Sequence, residues 1–303
     1  MAPDIPLSFA GTASPDTASL KNTPSGTSPR LTIHGNAEIA FERRDGATRL
    51  VRLFHHDPLR VLFPNPRTGD VALATLVTTS GGLVGGDRLD IAASVGPGAW
   101  AMVTTQAAEK VYRSNGPDVV VATDLKAGDG AWMEWLPQEA ILFDGARLRR
   151  TTSLDIAGEG RALAGELLVF GRTAHGERFT YGLARDAWEV RRDGRLIWAD
   201  ALHLDGDVAA ILDHPACFGG AVAYGTILYA APDADRHLDA ARSLLEAASP
   251  GIRAAATCFD GLLVIRWIGA PAHHLRRDYA RFWSAFRSHA AGLPARLPRL
   301  WDV

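Results

Sequence analysis

The chain has 303 residues, with 32 Lys and Arg against 34 Asp and Glu and a formal net charge of −2. Near-neutrality excludes broad electrostatic capture of nucleic acid or an anionic membrane, both of which need a basic footprint. The length allows one large domain or two small ones, either able to bury a core without staples. Only two cysteines occur, Cys217 and Cys258, outside any C-x-x-C arrangement. That excludes a disulfide framework and a thiolate zinc or iron–sulfur site, and it fits a reducing compartment.

Residues 1–29 mix Pro, Ser, Thr, Gly and Ala. They lack the charged start and apolar core of a secretory signal and are too acidic, through Asp4 and Asp16, for a transit peptide. They read as a disordered tail, with residues 30–303 as one domain. No apolar run reaches the roughly 18 residues a spanning helix needs, so a cytoplasmic protein is expected.

From Leu31 to Tyr229 short apolar or alternating runs predict strands: Val71–Thr79, Arg88–Val95, Trp100–Thr105, Val119–Leu125, Ala131–Leu136, Arg161–Phe170, Arg195–Leu204 and Ala221–Tyr229. Between them stand turn formers such as Gly81-Gly82, Gly96-Pro97-Gly98, Asn115-Gly116-Pro117 and Asp193-Gly194. Helix-period runs between the strands are missing, so a doubly wound βαβ sheet is not expected, and no fixed-period repeat is visible.

Two helices follow. Asp233–Ala248 places Leu238, Ala241, Leu245 and Ala248 at helical spacing after Pro232 and Asp233. Ala272–Ala290 carries a stripe of Leu275, Tyr279, Phe282, Trp283 and Phe286, with Arg276, Arg277, Arg281 and Arg287 mostly opposite. Gly292 and Pro294 end it. Between the helices, Arg253–Phe259 and Leu262–Ile268 read as a hairpin about Asp260-Gly261. Core packing is the simpler account of the aromatic stripe. The alternative is a docking face of Arg276, Arg277, Tyr279 and Trp283, residue types favoured as interface anchors. The fold class is therefore mainly β, a large multi-stranded, β-helix-like body with two C-terminal α-helices.

The segment Gly81-Gly82-Leu83-Val84-Gly85-Gly86-Asp87 is not a phosphate loop, because no Gly-Lys-Ser/Thr and no helix N-terminus follow it. It reads as a crowded turn that needs glycine and delivers Asp87 at its end. His175-Gly176-Glu177 imitates the H-x-E of zinc deaminases, but the second cysteine of that signature is missing near Cys217. His55-His56 and His273-His274 are sequential, so their side chains diverge. A β-solenoid hydrolase using paired carboxylates remains the competing class, with Asp87, Asp90, Glu139 and Asp144 lying near turns.

Five blocks then resemble the UreD (UreH) urease accessory protein family, in family order. They are Gly81–Leu89, Thr104–Ser114, Trp135–Glu139, Glu166–Arg172 running on to Glu177, and the closing Leu297–Trp301. The chain departs from the family in Thr78-Thr79-Ser80, where prolines are frequent, and in Gln106-Ala107-Ala108, where Pro-Gly-Ala is frequent. The resemblance implies a non-enzymatic chaperone that binds urease apoprotein, UreF and the GTPase UreG. It also implies an internal route for Ni²⁺, supplied to UreG by UreE where that protein exists. By motif position, Asp87, Glu166 and Asp200 would line such a route, with His175 and Glu177 as lesser candidates. A conduit must bind its ion and release it. Ni²⁺ holds thiolate and multi-imidazole sites tightly. Two scattered cysteines and no histidine cluster therefore suit transit of Ni²⁺; no stable metal site and no tightly bound cofactor are expected.

Overall fold

The computed structural model of the chain describes residues 32–302, and the tail read from residues 1–29 lies outside them. In chain order the strands are β1 (His34–Arg44), β2 (Ala47–His56), β3 (Leu59–Leu62), β4 (Ala72–Thr78), β5 (Arg88–Val95), β6 (Trp100–Thr105), β7 (Glu109–Val111), β8 (Val119–Ala127) and β9 (Trp132–Leu136). They continue with β10 (Ala140–Leu142), β11 (Arg147–Ile156), β12 (Arg161–Phe170), β13 (Tyr181–Arg192), β14 (Arg195–Asp207), β15 (Ala223–Ala230), β16 (Ile252–Phe259) and β17 (Leu262–Gly269). Three α-helices are α1 (Val208–Asp213), α2 (Leu238–Leu245) and α3 (Ala272–Ala291). The short α1 carries no sequence signal beyond Asp207, whose carboxylate accepts the Ala210 amide as an N-cap.

Two sheets form the body. Sheet A runs β14-β13-β11-β8-β5-β1-β2, and sheet B runs β16-β17-β15-β12-β9-β6-β4-β3, with β7 and β10 joined beside β12. From β4 to β13 the chain passes back and forth between the sheets, with β6 and β7, then β9 and β10, both in sheet B, and each strand lies parallel to the one a coil earlier. The result is a β-solenoid-like body. Trp100 pairs with Trp132 and Trp132 with Arg161, a rise of about 30 residues per coil. Hairpins β1–β2, β13–β14 and β16–β17 close the two ends.

Strand alternation feeds two cores. Ala162, Ala164, Leu168 and Phe170 of β12 face the space between the sheets. Leu163, Leu167 and Val169 face α2, α3 and the C-terminal segment. In this second core Tyr279 and Trp283 have no exposed surface. This corrects their reading as docking residues: each fits where the sheet backbone comes close. A Cβ on Gly165 would lie 2.0 Å from the Tyr279 hydroxyl, so only glycine permits the approach. Arg287, placed by its spacing among the solvated arginines, is also fully buried. It donates to Glu134 from Nε at 3.0 Å and from Nη2 at 2.9 Å, to Asp70 at 2.6 Å and to the Pro294 carbonyl at 2.9 Å.

Candidate functional site

The glycine-rich turn before β5 is as crowded as its sequence suggests. A Cβ on Gly85 would stand 2.1 Å from Ser114 Oγ, and Gly86 has φ +99°. Asp87 closes the turn: its Oδ1 accepts the Ile33 amide at 3.0 Å and its Oδ2 the Val84 amide at 2.9 Å. The carboxylate is buried and holds backbone together rather than lining an interior route.

The other motif-derived candidates separate. Glu166 on β12 is buried between the sheets. Asp200 on β14 is half-exposed and pairs with Arg266. His175 sits exposed in a single 3₁₀ turn, Thr173–His175. Glu177 pairs with Arg172 and accepts the Asp144 amide at 3.0 Å. Its slight burial raises its pKa less than those two contacts lower it. Glu166 alone of the five lines the interior space described next; Asp87, Asp200, His175 and Glu177 lie outside its lining.

That space is a cavity of about 70 Å³ between the sheets, lined by Leu89 and Ile91 of β5, Val121 and Thr123 of β8, Leu148 and Arg150 of β11, Trp135, Glu109 and Glu166. It is roomy enough to admit water. Arg150 is positioned by alternation: β11 turns Leu148, Arg150, Thr152 and Leu154 inward, and register sets Arg150 between Val121 and Asp186. Its guanidinium grips Asp186 through two bonds, Nε to Oδ1 at 2.8 Å and Nη2 to Oδ2 at 2.9 Å.

Glu166 faces the same guanidinium. Its Oε1 accepts Trp135 Nε1 at 3.0 Å and Thr152 Oγ1 at 3.4 Å. Its Oε2 lies 2.6 Å from Arg150 Nη1 but has no aligned hydrogen-bond donor. Burial pushes this carboxyl up to about 7, and the attraction of Arg150 offsets only part of that rise. Burial alone would lower Arg150, but Asp186 and Glu166 raise it and keep it charged.

Across the cavity Glu109 accepts Thr78 Oγ1 at 2.6 Å, and its burial raises its pKa more than that bond lowers it. Sequence reasoning quoted Glu109 only as part of a block and passed over Arg150 and Asp186. Their signal was a charge at an inward position of an alternating strand, which looks like a solvent-facing residue until the face is known.

A surface depression of about 630 Å³ shares Ala107 and Gln138 with the cavity lining. Gln138 is fixed on three sides: its amide donates to Thr105 Oγ1 at 2.8 Å, its Nε2 donates to the Leu300 carbonyl at 2.9 Å, and its Oε1 accepts Arg276 at 2.7 Å. Arg276 also donates to Glu139 at 3.0 Å and lies over the Trp301 ring. Arg277 donates to Ser249 Oγ at 3.1 Å. Among the described residues, no three His, Cys, Asp or Glu side chains are grouped to hold a metal. No helix of the described chain is long and apolar enough to cross a membrane.

The comparisons agree with the blocks that punctuate this site. The family model described as UreD urease accessory protein matches residues 34–302. A urease accessory protein UreD of Magnetococcus marinus is 47% identical over 283 residues, covering 92% of this chain and 98% of its own length. The Xanthobacter autotrophicus protein of that name is 44% identical, covering 90% and 91%. That of Rhizobium leguminosarum bv. trifolii is 39% identical, covering 92% and 98%. With the turn, the Glu166 block and the closing Leu297–Trp301 segment all inside the matched region, the chain belongs to the UreD urease accessory protein family.

Proposed function

We propose that this chain is a urease maturation chaperone that binds urease apoprotein with UreF and the GTPase UreG and passes Ni²⁺ through its interior, itself catalysing no reaction. The observation that carries this reading is that Glu109 and Glu166 line one cavity between the sheets, with Glu166 Oε2 held by the charge of Arg150 without an aligned hydrogen bond. Burial raises both carboxyls, Glu166 to about 7, and a divalent cation can displace the proton that Glu166 holds and later yield to it. Isolated carboxylates with water and carbonyl oxygens hold Ni²⁺ loosely compared with imidazole or thiolate sets. That is the affinity a passage requires.

The competing hydrolase reading needs two carboxyl groups facing a substrate across an open cleft. Glu166 and Asp186 instead share Arg150 and lie buried.

The test is Glu109→Gln combined with Glu166→Gln, which preserves shape while removing both exchangeable protons. The double variant is expected to fold and to co-purify with UreF and UreG, yet to activate urease apoprotein poorly when Ni²⁺ is supplied. Full activation by a folded, partner-bound double variant would refute passage through this cavity.

A further inference from the structure

The cavity between the sheets and the depression on the surface meet at one wall, where Ala107 and Gln138 border both. The Thr105 hydroxyl fixes the backbone of that wall: it accepts the Gln138 amide at 2.8 Å and donates to the Ala107 carbonyl at 3.4 Å. The Gln138 side chain is held by groups outside the sheets. Its Nε2 donates to the Leu300 carbonyl at 2.9 Å, and its Oε1 accepts Nη2 of Arg276 on α3 at 2.7 Å. A carboxylate stands on each side of the wall. Glu139 lines the depression and Glu109 the cavity. The two are neighbours, because the Glu109 amide donates to the Glu139 carbonyl at 2.9 Å. Glu139 is masked by the same arginine, whose Nε donates to its carboxylate at 3.0 Å. One guanidinium therefore both anchors the side chain in the wall and neutralises the carboxylate in front of it. Its donors sit in a rigid planar fork, so turning the group away breaks both bonds together. Arg276 keeps 20% of its side chain exposed, and solvent can receive it.

We propose that the Gln138 side chain is a gate between depression and cavity, and that Arg276 is the residue that latches it. With the guanidinium swung out, Gln138 loses one of its two side-chain anchors and Glu139 is bared. A divalent cation held at Glu139 then has only the Gln138 side chain between it and Glu109. The cation's part in this rests on the passage of Ni²⁺ proposed above; the gate itself does not. A lysine at position 276 would keep the charge without the fork, and so would latch less firmly.

Thiol labelling of the full chain reads the gate with neither nickel nor a partner present. In a Cys217→Ser, Cys258→Ser background, Thr123→Cys places a thiol on the cavity wall, and Val190→Cys places one in the same core outside that lining. With methyl methanethiosulfonate, Arg276→Ala and Gln138→Ala are each expected to speed labelling at position 123 about tenfold or more, the scale set by losing a hydrogen bond to a charged group. Position 190 should label at an unchanged rate. Arg276→Lys should fall between wild type and Arg276→Ala. Arg277→Ala, which loses its bond to Ser249, should move neither rate. Unchanged labelling at position 123 on loss of Arg276 would overturn the proposal. So would equal acceleration at position 190, or acceleration by Arg277→Ala, since either would mean general loosening. Fast labelling in Arg276→Ala, beside full urease activation by the Glu109→Gln, Glu166→Gln variant, would refute passage and leave the gate standing.

Discussion

Sheet B carries a buried carboxylate–arginine cluster on each face, and the two are built differently. On the helix side Glu134 accepts Trp132 Nε1, Trp283 Nε1 and Arg287, while Arg287 spends its remaining donors on Asp70 and two carbonyls. Every group there is satisfied, and the cluster clamps α3 and the C-terminal segment to the sheet. On the sandwich side Arg150 divides itself between two carboxylates, and Glu166, beside the cavity, meets Nη1 at 2.6 Å through Oε2 without hydrogen-bond alignment. A saturated buried network fixes a structure; an unsaturated one keeps capacity to bind something else.

Mutation should separate the two. Glu134→Ala leaves Arg287 with Asp70 but takes away the acceptor shared by its guanidinium and the buried Trp132 and Trp283 indole N–H groups, and is expected to cost about 3–5 kcal/mol in chemical denaturation. Glu166→Ala leaves Arg150 bidentate on Asp186 and is expected to cost about 1–3 kcal/mol. Equal losses would erase the distinction.

A smaller effect is expected from pH. The folded chain holds the Glu166 proton more tightly than the unfolded chain, whose carboxyl titrates near 4.5 against about 7 when folded. This contribution to stability is complete below the lower value and is lost as pH rises through the upper one. Relative to Glu166→Gln, the wild type should lose on the order of 2–3 kcal/mol across that window. Parallel pH profiles would show that burial does not hold the proton.

The least disruptive change lies on the rim of α3. Arg277→Glu removes one hydrogen bond to Ser249, and stability should move by only about 0.5 kcal/mol. A loss of UreF capture by that variant would make this helix face a docking surface; unchanged capture would leave it as solvated surface.

Much of the body was legible in the chain. Arg88–Val95, Trp100–Thr105 and Arg161–Phe170 fall where alternation and glycine turns put them, and α3 extends one residue beyond its expected end. The coil repeat went unread although Gly-x-Gly recurs at 96–98, 128–130 and 158–160, because so short a motif reads as an ordinary turn until the register stacks its copies. The site was half legible. Glu166 followed from its block, whereas Asp87 satisfied the same logic and proved to be a backbone clamp. Arg150, Asp186 and Arg287 were invisible for one reason: a charge on an alternating strand or amphipathic helix signals solvent until the fold supplies a buried partner.

The solenoid register gives the cavity a direction. Leu89, Val121, Arg150 and Asp186 occupy one rung position in four successive strands of sheet A. Three of the four, Leu89, Val121 and Arg150, line the void, which therefore lies across the rungs of neighbouring coils. A larger side chain at Val121 would narrow it without touching a single carboxylate.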